Sequence, residues 1–350
     1  MNENHPLYFD FEELKKYEDW YFKVSDVIMF LDSDMALSDA FQKRFPKLSE
    51  VIKRASVLNL MINNQKHRFY SWTIGGKSYG WLCVFEDSLE KELDLLAEHQ
   101  LLLNEIGGIV AVNNQEDWHF SDGQKFLFTA SECSKGISGW ENFYDMMCED
   151  YEVSESDKID YKDFIVFAQA ANGDVTLYDP ATKDVLQFNH DGHYIGLDGE
   201  YCTKILQQQP EDTFYKIKEV NDFTDFVEMY ATGWLQLLDS KSIAVKNLLS
   251  QKELEKAAQL TETLPGGYEK GELENLIGIE YFYATDYNKA LEFYLKAMKN
   301  EYRVATHIDF NIWEVCEILM KEDNDKVKWS KFYLDLFPKG KHVKNAKINL

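Results

Sequence analysis

Few residues in this sequence match the spacing of a known catalytic or metal-binding pattern. His190 and His193, with Asp191 and Asp198 close by, have the side chains of metal ligands. A spacing of three along a strand or turn would place the two imidazole rings on opposite sides, and no motif supplies a third ligand. We therefore expect a loop of hydrated polar residues here, and we expect no metal ion or other cofactor in the protein.

Two glycine-containing segments match catalytic motifs only in part. Gly76-Lys77-Ser78 resembles the end of a phosphate-binding loop, but the glycine required five residues earlier is absent and a strand, not a helix, follows. Gly136-Ile137-Ser138-Gly139 is one residue too short for a nucleophile elbow. His67, His99 and His119 are far apart, and no pattern pairs them with a cysteine or serine. The sequence therefore predicts a protein that is not an enzyme.

An acidic segment, Glu141–Asp160, is the strongest candidate for a binding surface. It contains eight acidic residues and one lysine. A solvated, mobile loop would account for this composition without any function. A docking surface for a basic partner is the alternative, because acidic side chains accelerate encounter with a positively charged protein and loops on a rigid scaffold often provide specificity. The residues that would form the surface are Asp145, Glu149, Asp150, Glu152, Glu155 and Asp157.

The composition of the whole chain favours an acidic protein with a hydrophobic core. The chain has 350 residues, 45% of them hydrophobic, and a formal net charge of -24. This length leaves room for two domains. A field of this sign repels nucleic acid and anionic membranes and attracts basic partners. We therefore expect a protein partner, with neither nucleic acid nor a membrane as ligand.

Cysteine usage and the N-terminal segment predict a cytoplasmic location. The five cysteines are scattered and odd in number, and none forms a Cys-x-x-Cys pair, which favours free thiols in a reducing compartment. The acidic N-terminal segment lacks the basic and apolar regions of a signal peptide. No apolar run approaches the length of a membrane span.

Residues Asp163–Asp198 predict a three-stranded antiparallel meander directly after the acidic segment. The apolar runs are Phe164–Ala168, Val175–Tyr178 and Val185–Phe188. Asn172-Gly173 is typical of a type I′ turn, and Asp179-Pro180 is typical of a turn in which the Asp side chain bonds its own backbone. A meander needs cover on its apolar face. The helical pattern that begins at Asp222 can provide it through Phe223, Phe226, Val227, Tyr230, Trp234 and Leu238.

The order of these elements resembles the SUKH superfamily. A helix running into a Gly-Gly turn, Leu93–Gly108, precedes the meander, and the aromatic-rich helix DFTDFVEMYATGWLQ follows it. The resemblance covers roughly Leu89 to Leu238. Both ends of the first helix depart from the family pattern, because Leu96-Ala97 replaces Leu-Pro and Ile106-Gly107-Gly108 replaces Asn-Gly-Gly. The resemblance implies an antiparallel sheet flanked by helices. It also implies a toxin-immunity role for bacterial members and a glucan-synthesis-regulator role for fungal members.

Residues 1–88 precede the resemblance, and we expect them to elaborate the same domain. The sequence predicts mostly helical structure for residues 1–60, with Pro46 in the first turn of a helix. The apolar stripe at helical spacing consists of Phe41, Phe45, Leu48, Val51, Ile52, Ala55 and Leu58. Arg68–Ile74 and Ser78–Phe85 predict a hairpin joined by Gly75-Gly76. We expect this hairpin to pack on the main sheet.

From Ser240 onward the pattern predicts two or three tetratricopeptide-like helical hairpins. With Gly278 as the small eighth position of a 34-residue repeat, suitable residue types occupy five other repeat positions. They are Ile277, Tyr281, Ala290, Tyr294 and Ala297. Glu274 and Tyr302 replace the usual Trp and Pro. The lysines at the end, Lys339, Lys341, Lys344 and Lys347, form a basic tail that is either solvated or docked on an acidic face.

These patterns predict an α+β fold with a SUKH-like domain at residues 1–239 and an all-α tetratricopeptide-like domain at 240–350. The predicted function is that of an immunity protein that occludes a basic toxin domain and performs no chemistry. The helical domain would add a second contact surface or a homodimer interface. The alternative is a scaffold or regulator, with a cell-envelope or signalling role, that binds peptides through its helical repeats.

Overall fold

The chain forms two compact units. The computed structural model describes residues 28–31, 35–86, 93–113, 127–150, 152–155, 158–170, 173–189, 200–201, 214–300 and 306–350. The first unit comprises the described residues of Met1–Trp72 and Ser78–Leu238, and the second those of Thr73–Lys77 and Asp239–Leu350. Antiparallel sheets dominate the N-terminal region and helices the C-terminal region. The coarse prediction of an α+β fold is therefore confirmed.

A five-stranded sheet uses residues from the N-terminal part of the chain. In the order in which they pair, its strands are β1 (Ile28–Phe30), β2 (Ser56–Ile62), β3 (Gln65–Ile74), β4 (Lys77–Val84) and β5 (Gly108–Asn113). Gly75 and Gly76 connect β3 to β4 with φ of 54° and 84°, and Asn63 and Asn64 connect β2 to β3 with φ of 49° and 66°. Two consecutive positive φ angles are what a type I′ hairpin turn requires. The predicted Gly-Gly hairpin is confirmed, so Gly76-Lys77-Ser78 is not a phosphate-binding loop.

The N-terminal region differs from the prediction in its strands. Strand β1 (Ile28–Phe30) lies within residues 1–60, which the sequence predicts to be mostly helical. Leu58 lies in β2, not in a helix, because the buried residues Leu58, Leu60 and Ile62 alternate with a period of two. The β3–β4 hairpin, which we expected to pack on the main sheet, provides inner strands of the five-stranded sheet, where β4 pairs with β5. Of the predicted helical stretch 1–60, residues 1–27 and 32–34 lie outside the described part of the chain.

A six-stranded sheet contains the predicted meander. Its strands are β6 (Ser134–Lys135), β7 (Ile165–Gln169), β8 (Val175–Tyr178), β9 (Val185–Phe188), β10 (Glu200–Tyr201) and β11 (Phe214–Lys216), paired in the order β10-β11-β9-β8-β7-β6. The meander β7-β8-β9 is antiparallel throughout, as predicted. Between β8 and β9 the Asp179 carboxylate accepts a hydrogen bond from the Ala181 amide at 2.8 Å. Asn172 lies outside the described residues, and its partner Gly173 has a φ of 97°.

The segment Leu127–Phe128 contacts strands of both sheets. The Leu127 carbonyl accepts a hydrogen bond from the Ile109 amide of β5 at 2.9 Å, and the Phe128 amide donates to the Phe167 carbonyl of β7 at 2.7 Å. Two adjacent residues therefore link β5 to β7.

Helices surround these sheets in the first unit. They are α1 (Asp39–Arg44), α2 (Pro46–Lys53), α3 (Ala97–Ile106), α4 (Glu141–Asp150) and α5 (Phe223–Asp239). Pro46 occupies the first turn of α2, and Gly107, with a φ of 83°, ends α3. Both features agree with the sequence, since proline suits the first turn of a helix and glycine the residue after its end.

Helix α5 packs against both sheets of the first unit. Near its start, the rings of Phe223 and Phe226 lie 5.1 Å and 5.2 Å from the ring of Phe167 in β7. Near its end, Trp234 lies 4.9 Å from Trp72 in β3 and 4.8 Å from Trp81 in β4. The predicted cover for the meander is therefore present, and the same helix also covers the five-stranded sheet.

The second unit is built from consecutive helices. They are α6 (Lys241–Ser250), α7 (Leu254–Glu262), α8 (Tyr268–Tyr283), α9 (Tyr287–Lys299), α10 (Thr306–Glu322), α11 (Lys326–Leu336) and α12 (Val343–Ile348). Helices α8 and α9 approach closely, because a Cβ added to Gly278 would lie 2.5 Å from the Tyr294 ring. Tyr281 stacks on Phe293 at 5.6 Å. The five residues assigned to repeat positions, Ile277, Tyr281, Ala290, Tyr294 and Ala297, are all buried.

Ion pairs between α7 and α9 share one sequence spacing. Lys289 pairs with Glu255 at 2.5 Å and Lys296 pairs with Glu262 at 2.8 Å. The residues of each pair are 34 positions apart. Glu274, which stands where a tetratricopeptide repeat usually has Trp, is buried and accepts a hydrogen bond from the Asn300 side chain at 2.8 Å. Burial raises the pKa of the Glu274 carboxyl.

Candidate functional site

The acidic segment begins at an anchored helix start. Glu141 opens α4, and its carboxylate accepts a hydrogen bond from the Ile137 amide at 3.1 Å. The indole N–H of Trp140 donates to the Gly173 carbonyl at 3.1 Å. Since Gly173 lies in the connection between β7 and β8, the Trp140 bond ties the start of α4 to the meander. Residues 136–139 form the turn before the helix, with positive φ at Gly136.

One face of α4 is buried in the first unit. Tyr144 and Cys148, one helical turn apart, are both buried. The Tyr144 ring meets Tyr161 at 5.3 Å and Phe214 at 5.2 Å, each edge-on, and its hydroxyl accepts a hydrogen bond from the Ile159 amide at 2.8 Å. Burial raises the pKa of the Tyr144 hydroxyl and of the Cys148 thiol, so both stay protonated.

The opposite face of α4 is exposed and acidic. Asn142, Asp145, Met146 and Glu149 are all exposed. Residues three and four apart lie on one face of a helix, so Asp145 and Glu149 share a face, and Met146, three positions before Glu149, lies at its edge. The Met146 side chain is 51% exposed. The face therefore presents one apolar side chain among negative charges, and we refer to Asp145, Met146 and Glu149 as the acidic helix face.

Acidic residues continue past the end of α4. The Glu152 amide donates to the Glu149 carbonyl at 3.1 Å and the Val153 amide donates to the Cys148 carbonyl at 2.9 Å, which closes the helix. Glu152 is exposed, with a φ of 51°. Glu155 is also exposed and pairs with Lys158 at 2.5 Å. Lys158 therefore offsets one of these charges, and Glu152 adds to the negative charge of the acidic helix face.

Four of the six predicted binding residues are described with their side chains, and all four are exposed: Asp145, Glu149, Glu152 and Glu155. The Asp150 side chain and the whole of Asp157 lie outside the described part of the chain. The expectation of a loop is wrong for Glu141–Asp150, because Tyr144 and Cys148 recur at helical spacing and pack on the core. The sequence prediction did not include Met146, because an apolar residue type gives no local sign that its side chain faces solvent.

The histidines that the sequence offered as catalytic candidates belong to the core where they are described. His99 is buried, its Nδ1 lies 3.1 Å from the Tyr178 hydroxyl, and its ring stacks on Phe223 at 4.5 Å. Burial lowers the pKa of His99 to about 3, so the ring is neutral at physiological pH. Burial also lowers the pKa of His67. Neither ring is placed to act as a general acid or base on a substrate in water.

The other chemical candidates concern metal binding. Within the ranges that the structure describes, no group of three or more His, Cys, Asp or Glu side chains is arranged to hold a metal ion. His119 and the segment with His190, Asp191, His193 and Asp198 lie outside those ranges. The expectation that no metal binds there remains a prediction.

The second unit exposes aromatic side chains on two of its helices. Tyr283, at the end of α8, is 75% exposed, and Phe310, in α10, is 45% exposed. The two helices are joined by a hydrogen bond of 3.0 Å from the Asn311 side chain to that of Asn275. Large apolar groups left exposed on a folded surface are often sites of protein contact. The exposed side chains of Tyr283 and Phe310 are therefore a second set of candidates for binding.

No protein-family model matches the sequence, and no curated protein shows significant similarity to it. Among the helices that the structure describes, none is long and apolar enough to cross a bilayer.

Proposed function

We propose that this protein is a non-catalytic binding protein that occludes a basic protein partner with its acidic helix face. The observation that carries the proposal is that α4 is buried on one face and exposed on the other. Tyr144 and Cys148 hold the helix in the core, while Asp145, Met146 and Glu149 stand free of it. A binding group held on a rigid element loses little conformational freedom when a partner docks.

The charge and the apolar side chain would serve different purposes. Asp145, Glu149 and Glu152 would steer a positively charged partner and raise the association rate. Met146 would enter an apolar pocket of that partner, since methionine adapts to irregular surfaces and is enriched at protein interfaces. The proposal therefore requires a partner with basic groups around an apolar depression.

In its most specific form, the proposal is that the partner is a toxin domain and that this chain is its immunity protein. The SUKH resemblance of residues 89–238 motivates this step. A toxin that acts on nucleic acid needs a basic cleft, and an acidic surface would fill that cleft by mimicking phosphate. The proposal includes a SUKH-like architecture for the first unit and a cytoplasmic location, with which the free thiols of Cys83, Cys133, Cys148 and Cys316 are compatible.

The test is partner capture with tagged full-length protein, followed by binding kinetics with the captured partner. One variant neutralises the described acidic residues: Asp145→Asn, Glu149→Gln, Glu152→Gln and Glu155→Gln. A matched control removes the same number of exposed charges elsewhere: Glu219→Gln, Glu269→Gln, Glu322→Gln and Asp335→Asn. We expect the first variant to associate about tenfold more slowly or worse, with a weaker dependence on salt, and the control to behave like the wild type.

Two outcomes would contradict the proposal at different levels. Equal association kinetics for both variants would show that the acidic helix face does not bind the partner. A partner whose toxic activity persists when it is saturated with this protein would refute the immunity form, while leaving the binding proposal in place.

A scaffold that binds peptides through the second unit is the second candidate. The exposure of Tyr283 and Phe310 favours it, as does the 34-residue spacing of the Glu255–Lys289 and Glu262–Lys296 pairs, which supports a tetratricopeptide-like array. The full-length variant Tyr283→Ser with Phe310→Ser tests this candidate in the same capture experiment. Loss of the partner in this variant alone would favour the scaffold over the immunity protein.

A further inference from the structure

The last helices of the second unit carry a basic surface that the proposed function does not use. Residues 326–350 contain seven lysines and one acidic residue, Asp335. The lysines are all exposed: Lys326, Lys328, Lys331, Lys339, Lys341, Lys344 and Lys347. Lys328 pairs with Asp323 at 2.8 Å. The other six form no ion pair with any residue that the structure describes. A protein of net charge -24 therefore has a region of opposite sign at residues 326–350.

Helix α12 presents the centre of this region to solvent. Ala346 is buried, and just before the helix His342 stacks on Trp313 at 5.4 Å, so one side of α12 is held by the unit. The other side carries Lys344, Lys347 and Ile348. Ile348 is 82% exposed, more than any other large hydrophobic residue in the part of the chain that the structure describes. We refer to Lys344, Lys347 and Ile348 as the basic helix face.

The basic and acidic helix faces are opposite in charge and similar in arrangement. Each consists of two like charges about one helical turn apart and one exposed aliphatic or thioether side chain beside them. We propose that the basic helix face of one copy of this chain docks on the acidic helix face of a second copy. The lysines would pair with Asp145 and Glu149, and Ile348 would pack against Met146.

A second copy fits these residues better than a polyanion does. Two copies of net charge -24 repel each other at long range, but so would nucleic acid or an anionic membrane. At physiological ionic strength the screening length is about 8 Å, so the charges within the contact decide the outcome. The occupant must accept a protruding aliphatic side chain as well as lysines. Met146 beside the carboxylates of Asp145 and Glu149 offers both in one small surface, whereas a nucleic acid backbone offers only the charge.

The proposed contact joins different surfaces, so it is heterologous and leads to a closed ring or to longer chains. Both faces are small, which predicts weak, reversible association. Because the acidic helix face is also the one proposed for the basic partner, that partner should displace the second copy. Self-association would then cover the face until the partner arrives.

The test uses sedimentation velocity on the full-length protein at physiological ionic strength over a wide concentration range. Two charge-reversal variants are needed: Asp145→Lys with Glu149→Lys, and Lys344→Glu with Lys347→Glu. We expect the wild type to form larger species as concentration rises, and each variant alone to require at least about tenfold more protein, equivalent to 1.4 kcal/mol. An equimolar mixture of the two variants should associate again, since each offers the face that complements the other.

Restoration in the mixture separates the proposal from a folding defect. Lys43→Glu with Lys218→Glu changes the net charge by the same amount at exposed lysines elsewhere and should associate like the wild type. The proposal is overturned if the wild type stays monomeric, if neither reversal weakens association, or if the mixture does not recover it. Binding of phosphatidylserine vesicles by a monomeric wild type, lost in the Lys344/Lys347 variant, would assign the basic helix face to lipid instead. No partner protein is present, so failure here leaves the partner-capture test unaffected.

Discussion

Glu228 of α5 caps the start of α2 by accepting a hydrogen bond from the backbone N–H of Leu48 at 3.1 Å, although the two residues are 180 positions apart. Its second oxygen accepts from the Lys47 amide at 2.9 Å. Phe45, at the capping position of α2, provides no side-chain hydrogen bond. The first amides of a helix need acceptors from outside the helix. A distant carboxylate therefore replaces the missing local cap, and its charge also suits the positive end of the helix dipole.

Replacement of Glu228 by alanine should destabilise the first unit by about 1–2 kcal/mol, the usual cost of losing a helix cap. Glu228→Gln should cost less, because one oxygen still accepts a hydrogen bond. Urea denaturation followed by tryptophan fluorescence measures the effect, since Trp72, Trp81 and Trp234 lie in this unit. Gln236→Ala, at an exposed position of the same helix, is the control. Equal stability of Glu228→Ala and the control would contradict the capping role.

Gly278→Ala should destabilise the second unit by about 2 kcal/mol, as overpacking of a close contact does. The expected sign is informative, because the same substitution in an open helix position would stabilise it by up to about 1 kcal/mol. The added Cβ would lie 2.5 Å from the Tyr294 ring and 3.2 Å from the Ala290 carbonyl. Thermal unfolding followed by circular dichroism gives the comparison.

A second substitution tests whether the Tyr294 ring causes the loss of stability in Gly278→Ala. In a Tyr294→Leu background the ring is absent, so Gly278→Ala should cost clearly less than it does in the wild type. Gly266→Ala, where a Cβ would meet only the end of the Asn300 side chain at 3.3 Å, should be nearly neutral. An unchanged cost in the Tyr294→Leu background would mean that the ring does not set the close approach of α8 and α9.

His99 should make the first unit less stable as the solution becomes acidic. Burial lowers the pKa of His99 to about 3 in the folded protein, whereas an unfolded chain has a value near 6.5. Above the unfolded value both states are neutral and the pH has no effect through this residue. Below it only the unfolded state binds the proton, so stability falls with pH down to about 3.

The non-titrating variant His99→Gln removes this dependence. Between pH 7 and pH 5 the wild type should lose about 2 kcal/mol more than the variant. Urea denaturation at each pH measures the difference, and His307→Gln, at an exposed position, should keep the wild-type slope. Parallel pH profiles for the wild type and His99→Gln would show that His99 does not titrate differently in the folded and unfolded states.

Met146→Ser should weaken partner binding without affecting the fold. The side chain is already 51% exposed, so its loss removes little buried surface, and surface substitutions usually change stability by less than about 0.5 kcal/mol. At an interface the same side chain would be fully covered, and we expect a loss of about tenfold in affinity. Titration calorimetry with the captured partner measures it. Asn142→Ser, on the same face, is the matched control. Equal affinities would remove Met146 from the interface.

Much of the fold was predictable because its signals are local. The meander β7-β8-β9, the hairpin at Gly75-Gly76 and the helix α5 follow from runs of alternating or helical periodicity and from turn residues that favour positive φ. The strand β2 could not be predicted in this way, since Leu58 also fits the apolar stripe of the preceding helix. Backbone pairing with β1 and β3 selects the two-residue period of a strand over the period of a helix for this segment.

The candidate site shows the same division. The acidic composition of Glu141–Asp160 and four of the exposed residues could be named from the sequence alone, because charge is a property of the residue type. Which side chains face solvent depends on what packs behind them, and for α4 that is Tyr161 and Phe214. Met146 became part of the candidate surface only through that packing.

The sequence by itself therefore determined the meander, the hairpin at Gly75-Gly76, the helix α5 and the charge of the chain, all of which depend on neighbours within a few residues. Tertiary structure alone decided the cap that Glu228 provides for α2, the anchoring of α4 and the exposed positions of Met146 and Ile348. These features arise from contacts between residues that are distant in sequence. Burial and hydrogen bonding at such contacts depend on the folded arrangement, and no local pattern encodes it.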